Sequence, residues 1–287
     1  MTPSLYGATK LIVLGSGTPN PDPNRAGSGY AVVVNETPYL IDFGPGIIRR
    51  AASMSPPWGG KIEAMTVKNF EHAFLTHIHS DHSAGLADLL LTPWIMGRDK
   101  KLNLFGPKGL EQMASSTLEA FEDDINYRVY GTQPSNKIGY KYNFHLIAEG
   151  LIYEDENVSV EAFTVPHGSF DDAYGFRFTT KDKVIVFSGD TGPSKTIEKF
   201  AAGADILVHE VYSNAGFLKK TKDWQIYHQG HHTSTFEVGK IASRARPKLL
   251  LLSHILFWGS TADEILKETQ STYKGQIKIA KDLMIIE

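Results

Sequence analysis

Short apolar runs recur along this chain and end at polar residues or Gly-rich turns, a pattern that predicts buried β-strands. These runs occupy residues 10–14, 30–35, 39–42, 73–75, 101–105, 158–165, 174–180, 183–187, 205–208 and 248–253. Helical spacing predicts helices over residues 47–54, 85–91, 106–122, 193–201, 233–244 and 261–273, and two short strands close the chain. This alternation indicates two β-sheets packed face to face, with helices outside.

Two stretches have weak periodicity. Residues 123–154, rich in Tyr, Asn and Gly, are interpreted as short strands and loops that overhang a site. Residues 216–230 are interpreted as a long loop that carries Lys219, Lys220, Lys222, Trp224 and Tyr227. The lysines are typical of a solvated surface, and a handle for an anionic substrate is the alternative. The aromatic residues, with Phe257 and Trp258, fit either an aromatic pocket or core packing.

Composition narrows the function classes. The 287 residues contain no linker or charge block, so one domain over 1–287 is expected, and the 41% of hydrophobic residues suffice for its core. The net charge of −3 disfavours nucleic acid as a partner. The absence of cysteine excludes disulfides, thiolate ligands and cysteine nucleophiles. The sequence contains no apolar run of about 18 residues, so no membrane span is predicted. The N-terminus does not resemble a signal peptide, which favours the cytoplasm, while a periplasmic or secreted location stays open if a signal was removed.

The strongest chemical signal is the stretch 74–86, FLTHIHSDHSAGL, between a predicted strand and a predicted helix. It places His77, His79, Asp81 and His82 on one loop, where a rigid scaffold presents exposed side chains. Neutral imidazole is a common zinc ligand. One cation would hardly use four ligands crowded this closely, so the pattern indicates two metal ions. The alternative is a polar surface loop with chance histidines.

The pattern His77-x-His79-x-Asp81-His82 resembles the signature of the metallo-β-lactamase-fold hydrolases, and in particular their ribonuclease Z-like and arylsulfatase-like branch. A start of the LGSGTP type at 14–19 and a strand end reading LIDFG at 40–44 extend the resemblance. It implies an α+β fold, the αββα sandwich. Asp42, in that strand end, either orients a ligand histidine or caps a turn.

The resemblance also implies a set of seven metal ligands. In it His77, His79 and His167 hold one ion, Asp81, His82 and His254 hold a second, and Asp190 bridges them. Zinc takes nitrogen and oxygen ligands at about 2.0–2.2 Å, so two Zn²⁺ ions are expected, with Mn²⁺ or Fe²⁺ as alternatives. Two such ions activate a shared hydroxide at neutral pH. From the residues alone, His167 also fits a turn, Asp190 an Asx-turn, and His254 a buried histidine with backbone partners.

Catalytic roles follow from the same resemblance. The ribonuclease Z members have a His-Glu after a buried strand and a His-Ser/Thr before a helix, which here read DILVHE and HHTS. Glu210 and His232 are therefore expected to deliver a proton to the leaving group, with Asp81 as a further catalytic residue. A Glu beside an imidazole raises the imidazole pKa, which suits a general acid. His231 is an equal neighbour by composition, and His232 is preferred because Thr233 follows it.

The interval from His167 to Asp190 is too short for the arm with which transfer-RNA-processing members grip their substrate. We therefore expect a zinc-dependent hydrolase of small esters, either phosphodiesters or aryl sulfates, with a small-molecule substrate and no membrane partner. The alternatives are a ribonuclease Z-type enzyme that processes transfer-RNA 3′ ends, a lactonase or β-lactamase, and, least favoured, a non-catalytic metal-binding protein. A homodimer is left open.

Overall fold

The computed structural model describes residues 8–287. Its strands are β1 Lys10–Gly15, β2 Gly29–Val34, β3 Thr37–Ile41, β4 His72–Phe74, β5 Leu102–Gly106, β6 Tyr142–Leu146, β7 Gly150–Glu154, β8 Val158–Thr164, β9 Tyr174–Thr180, β10 Val184–Phe187, β11 Ile206–Tyr212, β12 Leu249–Leu256, β13 Ile277–Ile279 and β14 Ile285–Ile286. Its α-helices are α1 Ile47–Met54, α2 Ser80–Ser83, α3 Leu86–Ile95, α4 Leu110–Ala120, α5 Glu122–Tyr130, α6 Lys195–Phe200, α7 Asn214–Phe217, α8 Lys222–His231, α9 Thr235–Ala245 and α10 Ala262–Gln270. Short 3-10 helices cover Pro56–Trp58, Glu63–Met65 and Val67–Asn69.

These residues form two compact units. The first contains the described residues up to Gly15, then Pro19–Ile147 and Asp282–Glu287, and the second contains Ser16–Thr18 and Ala148–Lys281. The single domain expected over 1–287 stays a prediction. Within the part of the chain from residue 8 onward, no helix has the length and apolar character needed to cross a membrane.

The first unit is built on a sheet in the order β14-β1-β2-β3-β4-β5-β6. Its strands are antiparallel from β14 to β3 and parallel from β3 to β6. Helix α1 buries Ile47, Ile48, Ala51 and Met54, which recur on one helical face, in the core of this unit. Parallel pairing brings the carboxyl ends of β3 and β4 to the same edge, where loops can meet.

The second unit is built on a sheet in the order β13-β12-β11-β10-β9-β8-β7. Strands β10 to β13 are parallel and β7 to β10 are antiparallel. Helix α9 begins after Ser234, whose side chain accepts a hydrogen bond from the Glu237 amide, as an N-cap residue should. Helix α10 begins with a capping box between Thr261 and Glu264. The predicted elements agree with the observed ones within a few residues at most of these positions.

Two stretches predicted without helices contain them, although the short strands predicted within 123–154 are present as β6 and β7. Within 123–154 the chain forms α5, whose first turn carries Glu122, Asp123 and Asp124 and whose Arg128 binds Asp124 one turn away. Acidic residues favour a helix N-terminus, and pairs four residues apart stabilise a helix surface. Within 216–230 the chain forms α7 and α8. His228 is the only buried residue of helix α8, so the helix has no apolar periodicity from which it could be predicted.

Candidate metal centre

In the first unit, four predicted ligands follow strand β4. His77, Asp81 and His82 are buried, and His79 is half-buried. Asp81 and His82 lie on the single turn of α2 rather than on an irregular loop. The His77 Nε2 and His79 Nδ1 atoms are 3.0 Å apart, and the rings of His77 and His82 lie 4.2 Å apart between centroids. Four donors therefore converge over a short stretch of chain.

Asp42 orients His82. Its Oδ2 lies 2.6 Å from His82 Nδ1, and both side chains are almost fully buried. The backbone amide and the hydroxyl of Thr76 each donate to Asp42 Oδ1 at 2.9 Å. With Nδ1 donating to a carboxylate, the lone pair of the imidazole is on Nε2, which lies 3.4 Å from Asp81 Oδ2. The orienting role suggested from the sequence is therefore the one that these contacts support.

The backbone at Asp42 is unusual. Its φ is +57°, in the left-handed region that costs a non-glycine residue free energy. Gly44 follows, and an added Cβ there would lie 2.1 Å from the Asp81 carbonyl oxygen. The turn after β3 thus packs closely against the backbone of α2. The Ser28 amide donates to the Asp81 carbonyl at 2.9 Å, and the Phe43 amide donates to the His82 carbonyl at 2.8 Å.

In the second unit, parallel strands bring three predicted site residues to one edge. Asp190 follows β10, Glu210 lies on β11, and His254 lies on β12. Glu210 pairs with Ser253 and the next residue pairs with Ile255, so His254 is the extra residue of a β-bulge. Its φ is +46°. Bulges redirect side chains beside functional sites, and this one explains how a residue inside a strand reaches Asp190.

Asp190 lies between two histidines. Its Oδ1 is 3.4 Å from His254 Nδ1, and its Oδ2 is 3.9 Å from His232 Nδ1. One ligand atom from each of these three buried residues lies within 4.8 Å of the others. Two donors that bind one tetrahedral zinc ion at about 2.0–2.2 Å are separated by roughly 3.3–3.5 Å. Imidazole nitrogens and carboxylate oxygens also suit zinc, manganese or iron, so the donor chemistry fits a metal ion.

Glu210 joins the cluster from β11. Its Oε2 is 3.4 Å from His232 Nδ1, and its Oε1 accepts a hydrogen bond of 2.6 Å from the Thr233 amide. Burial, with the charge of Asp190 next in importance, raises the pKa of Glu210 well above its ordinary value. The neighbouring His209 points to the Glu210 carbonyl oxygen, and burial lowers its pKa to about 4. His209 is thus a neutral structural residue, and Glu210 is the group that faces His232.

His167 is oriented by backbone. Its Nδ1 lies 2.8 Å from the His231 carbonyl oxygen, to which it donates, so the lone pair of its ring is on Nε2. Gly168 follows with φ +58°, and a Cβ there would lie 1.8 Å from the His231 ring. Glycine adopts this backbone conformation without strain and leaves room for the His231 ring.

The structure brings the predicted residues together within each unit. His77, His79, Asp81 and His82 converge in the first, and Asp190, Glu210, His232 and His254 in the second, while His167 lies with its ring 5.5 Å from that of His232. Their individual metal and catalytic roles stay predictions. Sequence reasoning missed Thr76 and Thr233, which brace Asp42 and Glu210. The signal available for both was a threonine next to a site histidine.

A family model described as a β-lactamase superfamily domain matches residues 37–255. The chain belongs to the metallo-β-lactamase superfamily. A ribonuclease Z from Mycobacterium bovis (strain BCG / Pasteur 1173P2) is 30% identical over 294 residues, which cover 97% of this chain and 98% of the relative. The predicted superfamily and its ribonuclease Z-like branch are thereby confirmed, and the protein is a hydrolase of this fold.

Solved structures confirm the predicted fold class. A metallo-β-lactamase fold protein from Bacillus subtilis has a TM-score of 0.74 at 20% identity, with 98% of this chain and 100% of that chain covered. The short form of human tRNase Z has a TM-score of 0.71 at 21% identity, with 97% and 98% covered. At such identities these likenesses show the fold.

The expectation about partners was wrong. We expected a small-molecule ester and disfavoured nucleic acid, but the relative from Mycobacterium bovis is by its name a ribonuclease, and its likeness spans nearly the whole chain. The net charge of −3 is a sum over the whole chain and does not describe the local field at a site. The phosphodiester bond is also the same bond in a small ester and in RNA, so the metal ligands do not distinguish them.

Proposed function

We propose that this superfamily member is a metal-dependent endoribonuclease that removes the 3′ extension of precursor transfer RNA. The observation that carries the proposal is the Glu210–His232 pair beside Asp190, in a chain 30% identical to a ribonuclease Z along nearly its full length. A cleaved phosphodiester needs a proton on its departing oxygen, and this pair is built to supply one.

We further propose that two zinc ions bind the seven predicted ligands: His77, His79 and His167 at one, Asp81, His82 and His254 at the other, and Asp190 at both. Bound ions of this kind supply an activated water and neutralise the charge of the phosphate. The orienting contacts support these assignments, because a ligand imidazole that donates its other nitrogen to a carboxylate or carbonyl is held in one tautomer. His82 donates to Asp42 and His167 donates to the His231 carbonyl.

His232 and Glu210 then act as the proton source. Burial raises the pKa of Glu210 above its ordinary value, and its Oε2 lies 3.4 Å from His232 Nδ1, so the carboxyl is placed to share a proton with the ring. The Thr233 amide, which donates to Glu210 Oε1, holds the carboxyl in place beside the ring. His232 delivers the proton to the oxygen that leaves the phosphorus.

The test uses the full chain, reconstituted with zinc, and a precursor transfer RNA with a labelled 3′ extension. We expect endonucleolytic cleavage at the junction of the mature end and the extension, its loss after chelation, and its return with zinc. Elemental analysis should give close to two metal equivalents per chain. A zinc-loaded sample that leaves the precursor intact while hydrolysing nitrophenyl sulfate or a homoserine lactone would contradict the proposal.

A further inference from the structure

A groove opens in the second unit beside His232. Its volume is about 530 Å³, and it extends from His232 along the first turns of α9 as far as Lys240. Tyr212, Phe217 and Phe236 form apolar walls, and Asn214 and Gln229 add amide groups. Ligand sites of roughly 300–1,000 Å³ hold small organic groups, so this groove is large enough for one nucleoside.

The lining suits a nucleobase. Aromatic side chains stack on or pack against the faces of bases without selecting among them, and Phe236 is half-buried at the groove. Side-chain amides carry both donors and acceptors, as the edge of a base requires. Tyr212 is held in place by the ring of Phe217, 5.1 Å away between centroids, and by that of Trp258 at 5.5 Å. The wall is therefore preformed.

The position of His232 decides which nucleoside enters. His232 lines the groove and, by the proposed function on which this inference rests, protonates the departing oxygen. The nucleoside that carries this oxygen must then lie on the His232 side of the phosphorus. We propose that the groove binds the nucleoside that leaves with the departing oxygen, with its base against Phe236 and its polar edge toward Asn214 and Gln229.

The groove also limits recognition to one nucleoside. Glu237 and Lys240, which form an ion pair one turn apart on α9, also line the groove. From the N-cap Ser234 to Lys240 the chain rises by six helical steps, about 9 Å. That length accommodates one base and its ribose beside His232, and the rest of the RNA must be bound elsewhere.

The experiment compares three precursor transfer RNAs: intact, abasic at the nucleotide that carries the departing oxygen, and abasic at the nucleotide on the other side of the scissile phosphate. The fragment that retains the new hydroxyl identifies the first of these nucleotides. For the wild-type chain we expect kcat/KM to fall about 10-fold or more when the base on the departing side is missing, because stacking on an aromatic residue contributes this much. Removal of the other base should have a much smaller effect.

The variant Phe236→Ala should remove most of this discrimination, since the base then has no ring to pack on, and Phe236→Leu should retain part of it. Leu151→Ala, on the exposed edge strand β7, is the matched control and should keep the full wild-type ratio. Thermal unfolding confirms that each variant is folded. The inference would be overturned if the two abasic precursors lost kcat/KM equally, or if Phe236→Ala kept the wild-type difference between them, while the intact precursor is still cleaved. Failure to cleave the intact precursor would overturn the proposed function and the inference together.

Discussion

Each unit contains a histidine whose Nδ1 faces a buried carboxylate, and the two pairs differ in length. His82 and Asp42 are 2.6 Å apart, whereas His232 and Glu210 are 3.4 Å apart. A short charge-assisted hydrogen bond fixes a ring in one tautomer and one orientation, as a metal ligand requires. A longer contact fixes neither, which suits a group that must release and regain a proton. The two separations differ by 0.8 Å, and we propose that the shorter pair holds a metal ligand and the longer pair a proton donor.

Asp190 lies outside this comparison because we assign it to both ions, so its loss should have the largest effect. In Asp190→Ala we expect bound metal to fall well below two equivalents and RNA cleavage to become undetectable. Metal analysis and cleavage assays on the same preparation check this. The matched control is Asp205→Ala, directly before β11, where the carboxylate pairs with Lys248. Equal metal loss in both variants would show that the effect comes from folding.

For the longer pair, His232 and Glu210, we expect that a substitution lowers catalysis without loss of bound metal. In His232→Ala we expect turnover of RNA to fall about 10²–10⁴-fold, the usual contribution of a general acid, with two metal equivalents retained. Bis(nitrophenyl) phosphate should be much less affected, because nitrophenolate needs little protonation. His231→Ala is the neighbouring control, since the variant loses the side-chain contact of Nδ1 with the Tyr227 carbonyl and keeps the backbone carbonyl that accepts from His167. Unchanged RNA turnover in His232→Ala would show that the proton comes from another group.

For the shorter pair, His82 and Asp42, we expect weaker metal binding without a defect in proton transfer. In Asp42→Ala we expect metal affinity to fall about 10–100-fold, the usual effect of losing the partner of a ligand histidine. Activity should recover at high zinc concentration, which it should not do in His232→Ala. Asp124→Ala on the surface of α5 is the matched control. Normal zinc affinity in Asp42→Ala would remove the functional difference between the two pairs.

His209 is a buried histidine whose Nδ1 faces a backbone carbonyl instead of a carboxylate, and it should affect stability rather than catalysis. Its pKa is about 4 in the folded chain and about 6.5 when unfolded. The stability it contributes is fully present above the unfolded pKa and is lost as pH falls toward the folded pKa, by roughly 3 kcal/mol in total. Denaturant unfolding from pH 7 to pH 4.5 should therefore show a shallower loss in His209→Gln than in the wild type. Parallel curves would contradict the assignment of His209 as a neutral residue.

Prediction from the sequence succeeded where the signal is local. Helix α1 agrees with the predicted 47–54, because its buried residues recur at helical spacing. It failed where the stabilising contacts are polar, as in α5 and α8, because apolar periodicity carries no information about a surface helix. The prediction of a small-molecule partner failed for a related reason. Net charge describes only composition, whereas the choice of substrate depends on where the charges and grooves lie.

The sequence by itself indicated the superfamily, the fold class and a set of candidate ligands, because four of the candidates lie within six positions and the others follow apolar runs. It also indicated that Asp42 could orient a ligand. Only the tertiary structure decided that His82 is the histidine Asp42 orients, that a bulge turns His254 toward Asp190, and that Glu210 meets His232. These contacts join residues that are far apart in sequence: Glu210 and His232 are 22 positions apart, Asp42 and His82 are 40, and Asp190 and His254 are 64. Such contacts depend on strand register and backbone turns, which a linear pattern of residue types does not specify.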